Sequence, residues 1–398
     1  MSVQGNEQAP ETAQALETAP ETESEIGAGP HLSSEPDGRD VVATAAEASA
    51  LSSPPLLVLE TVARHLDEHG IGAGPTAWAR IGEGQSNVTF LLRRGDAEVV
   101  LRRGPRPPLP PSAHDMLREA RIQRLLHAEG YPVAEIHSTC EDPTLLGVPF
   151  YVMGYLRGDV ITDALPERFD EPAQRSRVAD AAVDALARLH AIDVTTGPLG
   201  GFGRPGGYLE RQVSRFRGLW GTVSRRELPR VDEVADRLAA ALPTTARPAL
   251  VHGDFRLGNL MFTAGAAPTV GAVLDWEMST LGDPLADLGY LAATWSEPGS
   301  PATTMELSPV TRLDGFPDRA GLVERYASLT GADTSALPWY QALALWKSAI
   351  FSEAIYTRWR AGERPDDTTF APKLETGVPQ LLEVASGYLD LVPRVTSA

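Results

Sequence analysis

Between Leu250 and Phe262 the chain reads LVHGDFRLGNLMF, with a His, an Asp, an Arg and an Asn crowded between two apolar triplets. The flanks, Ala249–Val251 and Leu260–Phe262, have the character of short buried strands, which would hold the polar stretch as a tight loop. In NLMFTAGAAPTVGAVLD, Asn259 and Asp275 lie at equal sequence distance from Ala267 in a predicted hairpin turn. Pairing Leu260–Phe262 with Val270–Leu274 then brings the amide and the carboxylate side by side at the open end. Two neighbouring hard oxygen ligands suit Mg²⁺, which takes one or two protein ligands and completes its shell with phosphate oxygens and water. Asp254 stands apart from that pair, where an ionised carboxylate can accept a proton from an attacking hydroxyl. Arg256 can place a fixed positive charge near the equatorial oxygens of a transferring phosphoryl group. His252 reads as a structural brace rather than a second base, since a loop His often ties backbone.

A second feature lies upstream. IGEGQSN, from Ile81 to Asn87, is a glycine-rich turn next to a strand, and Gly82 and Gly84 would let backbone amides approach a phosphate closely. In EVVLRRGP strand alternation puts Val100 and Arg102 on one face, an apolar floor for a base beside a cation for phosphates. Glu119, on the following predicted helix, is placed to pair with Arg102 and fix its orientation.

The elements that must position these residues are legible in outline. PLLVLETVARHLDEHG has helical spacing and stops at Gly70; the runs Val88–Leu92 and Glu98–Arg102 form a hairpin, followed by a helix ending before Gly130 and a strand in GVPFYVMGYLRGD. The opening is therefore a small sheet with one helix. The rest is mostly helical, with helices predicted at Gln174–His190, Tyr208–Leu219, Val231–Ala241, Pro284–Thr294, Gly321–Thr330, Pro338–Arg360 and Thr376–Leu391. Before Pro54 there are ten acidic residues and one Arg, a local charge of −9 out of the chain's −18, in a stretch rich in Ala, Pro, Ser and Thr. That composition predicts a disordered acidic tail over 1–54. The net acidity argues against a nucleic-acid binder. The single cysteine, Cys140, excludes an internal disulfide framework, and no apolar run approaches the roughly 20 residues of a membrane-spanning helix. A cytoplasmic protein with no membrane or nucleic-acid partner is expected.

HGDFRLGN followed by LDWE resembles the catalytic loop and metal-binding Asp of the aminoglycoside phosphotransferase family, small-molecule kinases that share the protein-kinase-like fold. STLGDPLADLGYL, from Ser279 to Leu291, is similar to the family's segment after the metal Asp, and the resemblance spans about residues 75 to 390. It implies an α+β bilobal fold: a small N-lobe over 55–155 with an antiparallel sheet plus a helix, and a larger, mainly helical C-lobe over 156–398. It implies Asp254 as catalytic base, Arg256 as the loop's cation, and Asn259 and Asp275 as Mg²⁺ ligands. Gly82, Gly84, Ser86 and Asn87 fall in the phosphate loop, beside the apolar Val100. Arg102 takes the phosphate-binding Lys position, Glu119 that of its helix partner, and Met153 to Tyr155 the link that meets adenine. Two departures concern the nucleotide half: an Arg, whose planar fork differs from a Lys point charge, and Asn87 where the family has a third glycine. ATP is the implied phosphoryl donor, with GTP open. Only seven residues separate Asp275 from Asp283, too few for the activation segment of protein kinases, and Asp283 and Asp287 read as structural.

The acceptor is less constrained. GRPGGYLERQVSRFRGLWGTVSRRELPR and YTRWRAGERP are basic, which points to an anionic acceptor or to a solvated helix face. GRPGGYLERQVSRF and EMSTLGDPLADLGYL are similar to the family branch associated with acyl-CoA dehydrogenases, whose implied acceptor is a hydroxyacyl-CoA. Trp339, Trp346, Phe351 and Trp359 on one helix would then line an acyl pocket or form ordinary core. An aminoglycoside or macrolide phosphotransferase, and an inactive nucleotide-binding pseudokinase, stand as alternatives.

Overall fold

In the computed structural model, residues 30–82, 87–107, 114–300 and 302–392 are described, and two compact units divide the chain at Arg157/Gly158. The N-terminal unit runs β1 (Val41–Val42), α1 (Ala45–Ala50), β2 (Leu57–Val58), α2 (Leu59–Glu68), β3 (Ala77–Ile81), β4 (Val88–Arg94), β5 (Ala97–Arg103), α3 (Met116–Ala128), β6 (Ile136–Cys140), α4 (Pro143–Leu146) and β7 (Phe150–Gly154). Five strands form one antiparallel sheet in the order β3-β4-β5-β7-β6.

Strand alternation gives this sheet two distinct faces. Phe90, Leu92, Val99, Leu101, Phe150 and Val152 join one apolar cluster with Val41, Leu57 and Val62. On the other face Tyr151, Ile136 and the partly buried Met153 pack with Met116 and Ala120 of α3. Asp115 caps α3, its carboxylate accepting the Arg118 N–H at 3.0 Å.

The expectation of a disordered tail to residue 54 needs correction. Val41 and Val42 are fully buried and pair in parallel with Leu57 and Val58, and α1 is held by a reciprocal capping box between Thr44 and Glu47. The segment is tied down by cations from the sheet side. Arg106 donates to the Pro54 carbonyl and to Asp40 at 2.6 Å, and the buried Arg103 donates to the Leu56 carbonyl at 2.6 Å. Two valines and a few hydrogen bonds outweigh the composition of the surrounding stretch. The helix predicted from Pro55 likewise starts only at Leu59, because Leu57 and Val58 are used as a strand.

The C-terminal unit contains β8 (Asp159–Val160), α5 (Pro172–Ala191), α6 (Tyr208–Val223), α7 (Arg230–Ala240), β9 (Ala249–Val251), β10 (Leu260–Phe262), β11 (Val270–Val273), β12 (Thr280–Gly282), α8 (Leu285–Thr294), α9 (Arg319–Thr330), α10 (Leu337–Arg360) and α11 (Leu374–Asp390). Helix α10, apolar almost all round, is the central element, packed against α6, α7, α8 and α11. Two small antiparallel sheets, β9 with β12 and β11-β10-β8, interrupt the helices. Among the described residues no helix is long and apolar enough to cross a membrane.

Candidate active site

The two apolar triplets form β9 and β10, as predicted, and the polar residues between them form the connecting loop. Gly253 sits at φ 89°, and a Cβ there would lie 2.9 Å from the Met278 carbonyl oxygen, so the turn requires glycine. The loop backbone is fixed from α8. The fully buried Asp287 accepts the His252 N–H at 2.7 Å and the Gly253 N–H at 2.8 Å. It also lies 3.2 Å from His190 Nε2, while Tyr326 Oη lies 2.7 Å from His190 Nδ1. Asp283 accepts the Leu285 N–H at 3.0 Å and the Tyr340 hydroxyl at 2.8 Å. His252 is buried, with Nδ1 accepting the Asp254 N–H at 3.2 Å and Nε2 donating to the Leu274 carbonyl at 2.8 Å. One ring thus ties the loop to the residue preceding Asp275.

The β10–β11 hairpin forms one residue out of the symmetric register. Leu260 pairs with Val273, the Leu274 N–H donates to the Asn259 carbonyl at 2.9 Å, and the pairing shifts between Met261 and Phe262. Asn259 is therefore opposite Leu274, and Asp275 is the next residue. Asp275 adopts φ 64°, a left-handed conformation uncommon for a residue with a side chain and typical of functional sites.

Asn259 Nδ2 donates to the Asp254 carboxylate at 2.7 Å and to its carbonyl at 2.8 Å, both groups being buried. Arg256 Nε lies 3.6 Å from Asp254 Oδ1, too long for a hydrogen bond. Both Asp254 Oδ1 and Arg256 Nε are buried without a hydrogen-bond partner among the described residues. Burial pushes the Asp254 carboxyl above its ordinary range and nearby Asp275 adds to this, while Arg256 and Tyr290 act the other way. Burial alone would lower Arg256, yet Asp254, Tyr290 and Asp275 together raise it. Asp254, Arg256 and Asp275 thus share one electrostatic neighbourhood. Tyr290 is a member that sequence reasoning missed, although its i,i+3 spacing from Asp287 on α8 put it on the same helix face.

A cavity opens on this neighbourhood within the C-terminal unit. Asp254, Tyr290 and Lys347 line it together with Tyr208, Met278 and Phe351. Lys347 was also missed. Of Trp339, Trp346, Phe351 and Trp359 on α10, Phe351 lines this cavity, beside Tyr340 of the same helix; the indoles of Trp339 and Trp346 donate instead to the Leu238 and Val231 carbonyls at 3.0 Å, as core residues. The basic segments are likewise largely engaged. Arg217 pairs with Asp232 and Asp236, Arg226 with Glu353, Arg230 with Glu383 and Arg358 with Glu363.

In the N-terminal unit Arg102 and Glu119 are brought together, Nε to Oε1 at 3.2 Å, with Glu119 buried. Val100 is buried and paired with Met153 across β5 and β7. Tyr155 is half-buried, with the Arg157 guanidinium 5.3 Å from its ring centroid. Gly82 has φ 73°, and the buried Asn87 accepts from His114 Nδ1 through its Oδ1 at 2.9 Å. Gly84 and Ser86 lie outside the described residues.

The sequence profile described as the phosphotransferase enzyme family, APH, matches residues 77–310, more than half of the chain. The chain belongs to the APH phosphotransferase family. Acyl-CoA dehydrogenase family member 11 of Gallus gallus is 37% identical over 297 residues, covering 73% of this chain and 38% of that protein. The chain thus spans well under half the length of that relative. Among solved structures, a Ralstonia eutropha protein named as a candidate aminoglycoside phosphotransferase superposes with TM-score 0.70 at 29% identity, over 84% of this chain and 99% of that one. A complex of APH(4)-Ia with AMP-PNP and hygromycin B shares the fold alone, with TM-score 0.53 at 18% identity over 83% of this chain and 98% of that one. The α+β APH kinase-like fold inferred from HGDFRLGN and LDWE is the fold of the molecule.

Proposed function

We propose that this APH-family chain is an ATP-dependent small-molecule kinase that transfers the γ-phosphoryl group to a hydroxyl, with a hydroxyacyl-CoA as the acceptor. The observation that carries the chemistry is the buried, unpartnered Asp254 Oδ1. Asn259 holds the other carboxylate oxygen through Nδ2, so Oδ1 is presented in one orientation to the cavity the carboxylate lines. A hydroxyl there gives its proton to Asp254 Oδ1 as its oxygen forms the new P–O bond, and the bond from the γ-phosphorus to the bridging oxygen breaks to release ADP. Arg256 supplies fixed positive charge beside the base.

The donor set fits Mg²⁺. With its nitrogen committed to Asp254, Asn259 has its amide oxygen as the remaining ligand atom, and Asp275 adds a carboxylate from the adjoining hairpin end. When bound, Mg²⁺ supplies charge neutralisation on the phosphate oxygens. In the N-terminal unit the assignment gives Arg102 to the phosphates, oriented by Glu119, with Gly82, Gly84, Ser86 and Asn87 in the phosphate loop and Val100, Met153 and Tyr155 around the base. AMP-PNP in the APH(4)-Ia complex supports an adenine nucleotide as donor. Likeness to an acyl-CoA dehydrogenase family member supports the acyl-CoA class of acceptor and a functional link to such a dehydrogenase.

The test is nucleoside diphosphate release by the full chain with ATP or GTP, Mg²⁺ and a panel of hydroxyacyl-CoAs, sugars, aminoglycosides and macrolides. Release with hydroxyacyl-CoA that Asp254→Ala abolishes is the expected result. Release with antibiotics alone would replace the acceptor, and none with any acceptor would remove the kinase.

A further inference from the structure

Lys347 is an unusual residue for its position. It is half-buried in the middle of the apolar helix α10 and lines the same cavity as Asp254 and Tyr290. Its Nζ donates to Gln212 Oε1 at 3.0 Å and lies 4.7 Å from the Phe216 ring centroid, both on α6. Among the described residues no carboxylate lies within ion-pair distance of it, although a buried ammonium is ordinarily paired. Arg215, one turn along α6, adds a second positive charge, and burial followed by that charge lowers the Lys347 ammonium to about 8. Arg217, Arg226, Arg230 and Arg358 have carboxylate partners, and among the described residues lining the cavity Lys347 is the one cation.

We propose that Lys347 is the specificity-determining residue of the acceptor site, where its ammonium takes the carboxylate or carbonyl oxygen of a hydroxyacyl compound whose hydroxyl lies at Asp254. This rests on reading the cavity as the acceptor site. The chemistry of the walls agrees with it: Tyr208, Met278, Leu343 and Phe351 offer apolar surface for the carbon chain. The same charge disfavours a polyamine acceptor, because Lys347 would repel an ammonium group placed beside it.

Equilibrium binding by titration calorimetry on the full chain tests this without turnover. The probes are hydroxyacyl-CoA thioesters, the matching free hydroxy acids, and kanamycin. The wild type should bind a hydroxyacyl probe more tightly than kanamycin. Lys347→Met should weaken that binding by about ten- to a hundredfold, the effect of losing one charge-assisted hydrogen bond, and Lys347→Arg should recover most of it. Lys347→Glu should turn the preference toward kanamycin. Equal affinity of wild type and Lys347→Met, tighter binding of kanamycin by the wild type, or no binding of any hydroxyacyl probe overturns the assignment. Preference for free hydroxy acids over their thioesters identifies the held oxygen as a carboxylate's, and the reverse identifies it as a carbonyl's. Binding that persists while no acceptor supports nucleoside diphosphate release would remove the kinase and leave the Lys347 assignment standing.

Discussion

Replacing Asp287 with Asn should loosen the loop that carries Asp254 without changing the shape of the core. The wild-type carboxylate accepts the Gly253 N–H on one oxygen and the His252 N–H on the other, which also lies 3.2 Å from His190 Nε2. An Asn offers one oxygen, so one loop N–H must face an NH₂ group, donor against donor. His190 adapts, since its ring can accept through Nε2 while Tyr326 Oη accepts from Nδ1. The loop N–H has no such alternative inside a fully buried site. Leaving a buried donor unmade costs about 1–3 kcal/mol, and converting a charge-assisted bond to a neutral one costs about 1 kcal/mol more. The expected loss is about 3 kcal/mol in urea unfolding, with faster hydrogen exchange at the His252 and Gly253 amides than elsewhere in the unit. A loss below about 0.5 kcal/mol, or exchange that quickens uniformly, would refute Asp287 as the anchor of the loop. Asp287→Ala removes both acceptors and should bring unfolding close to the limit of a marginally stable domain.

Four further outcomes are expected. Asp254→Ala should lower kcat by about 10²–10⁴-fold while nucleotide affinity measured by calorimetry stays within about twofold; equal loss of both contradicts a base that does not hold nucleotide. Gly253→Ala places a Cβ 2.9 Å from Met278 at φ 89° and should lower stability by about 1–3 kcal/mol, read from the urea midpoint. Arg102→Met removes the cation 3.2 Å from the buried Glu119 carboxylate and should lower both stability and ATP affinity, whereas loss of stability alone would make the pair structural. Affinity for an acyl-bearing acceptor should be level at neutral pH and fall as pH rises through about 8, where Lys347 loses its proton among Arg215, Asp254, Asp287 and the Tyr208 and Tyr290 hydroxyls; Lys347→Arg should remove that fall.

Much of this frame was visible in the chain because its signals are local. The triplets Ala249–Val251 and Leu260–Phe262 are apolar runs bounded by turn residues, and they are strands; all seven predicted C-terminal helices form, with ends shifted by up to a turn or so. What escaped depends on contacts across long sequence separations. The hairpin falls one residue out of the symmetric register, with a bulge at Gly271 between Val270 and Ala272, a glycine the symmetric count passed over, while no glycine announces the left-handed turn at Asp275. Tyr290 and Lys347 reach Asp254's cavity from α8 and α10, which periodicity alone cannot dock. Lys347 left a trace all the same: it is one of two charged residues, with Glu353, between Leu337 and Tyr356. Thr44 and Glu47 were a readable capping box inside a stretch whose composition argued for disorder.

Residue type could not say which of the neighbouring aspartates does chemistry, and hydrogen-bond satisfaction does. Asp283 and Asp287 have both carboxylate oxygens bound, to a helix start and a tyrosine in one case and to the loop backbone in the other. Asp254 has one oxygen bound and one buried without a partner, an arrangement that lowers stability unless something completes it. Lys347 carries the same signature in opposite charge, a cation without a carboxylate among the described residues, while Arg217 and Arg226 have theirs. The fold thus uses Asp283, Asp287 and Glu353 to satisfy its own donors and leaves one acceptor and one ammonium on a shared cavity. A single ligand bearing a hydroxyl and an acyl oxygen would satisfy both, so its binding should raise the melting temperature of the wild type more than that of either Asp254→Ala or Lys347→Met.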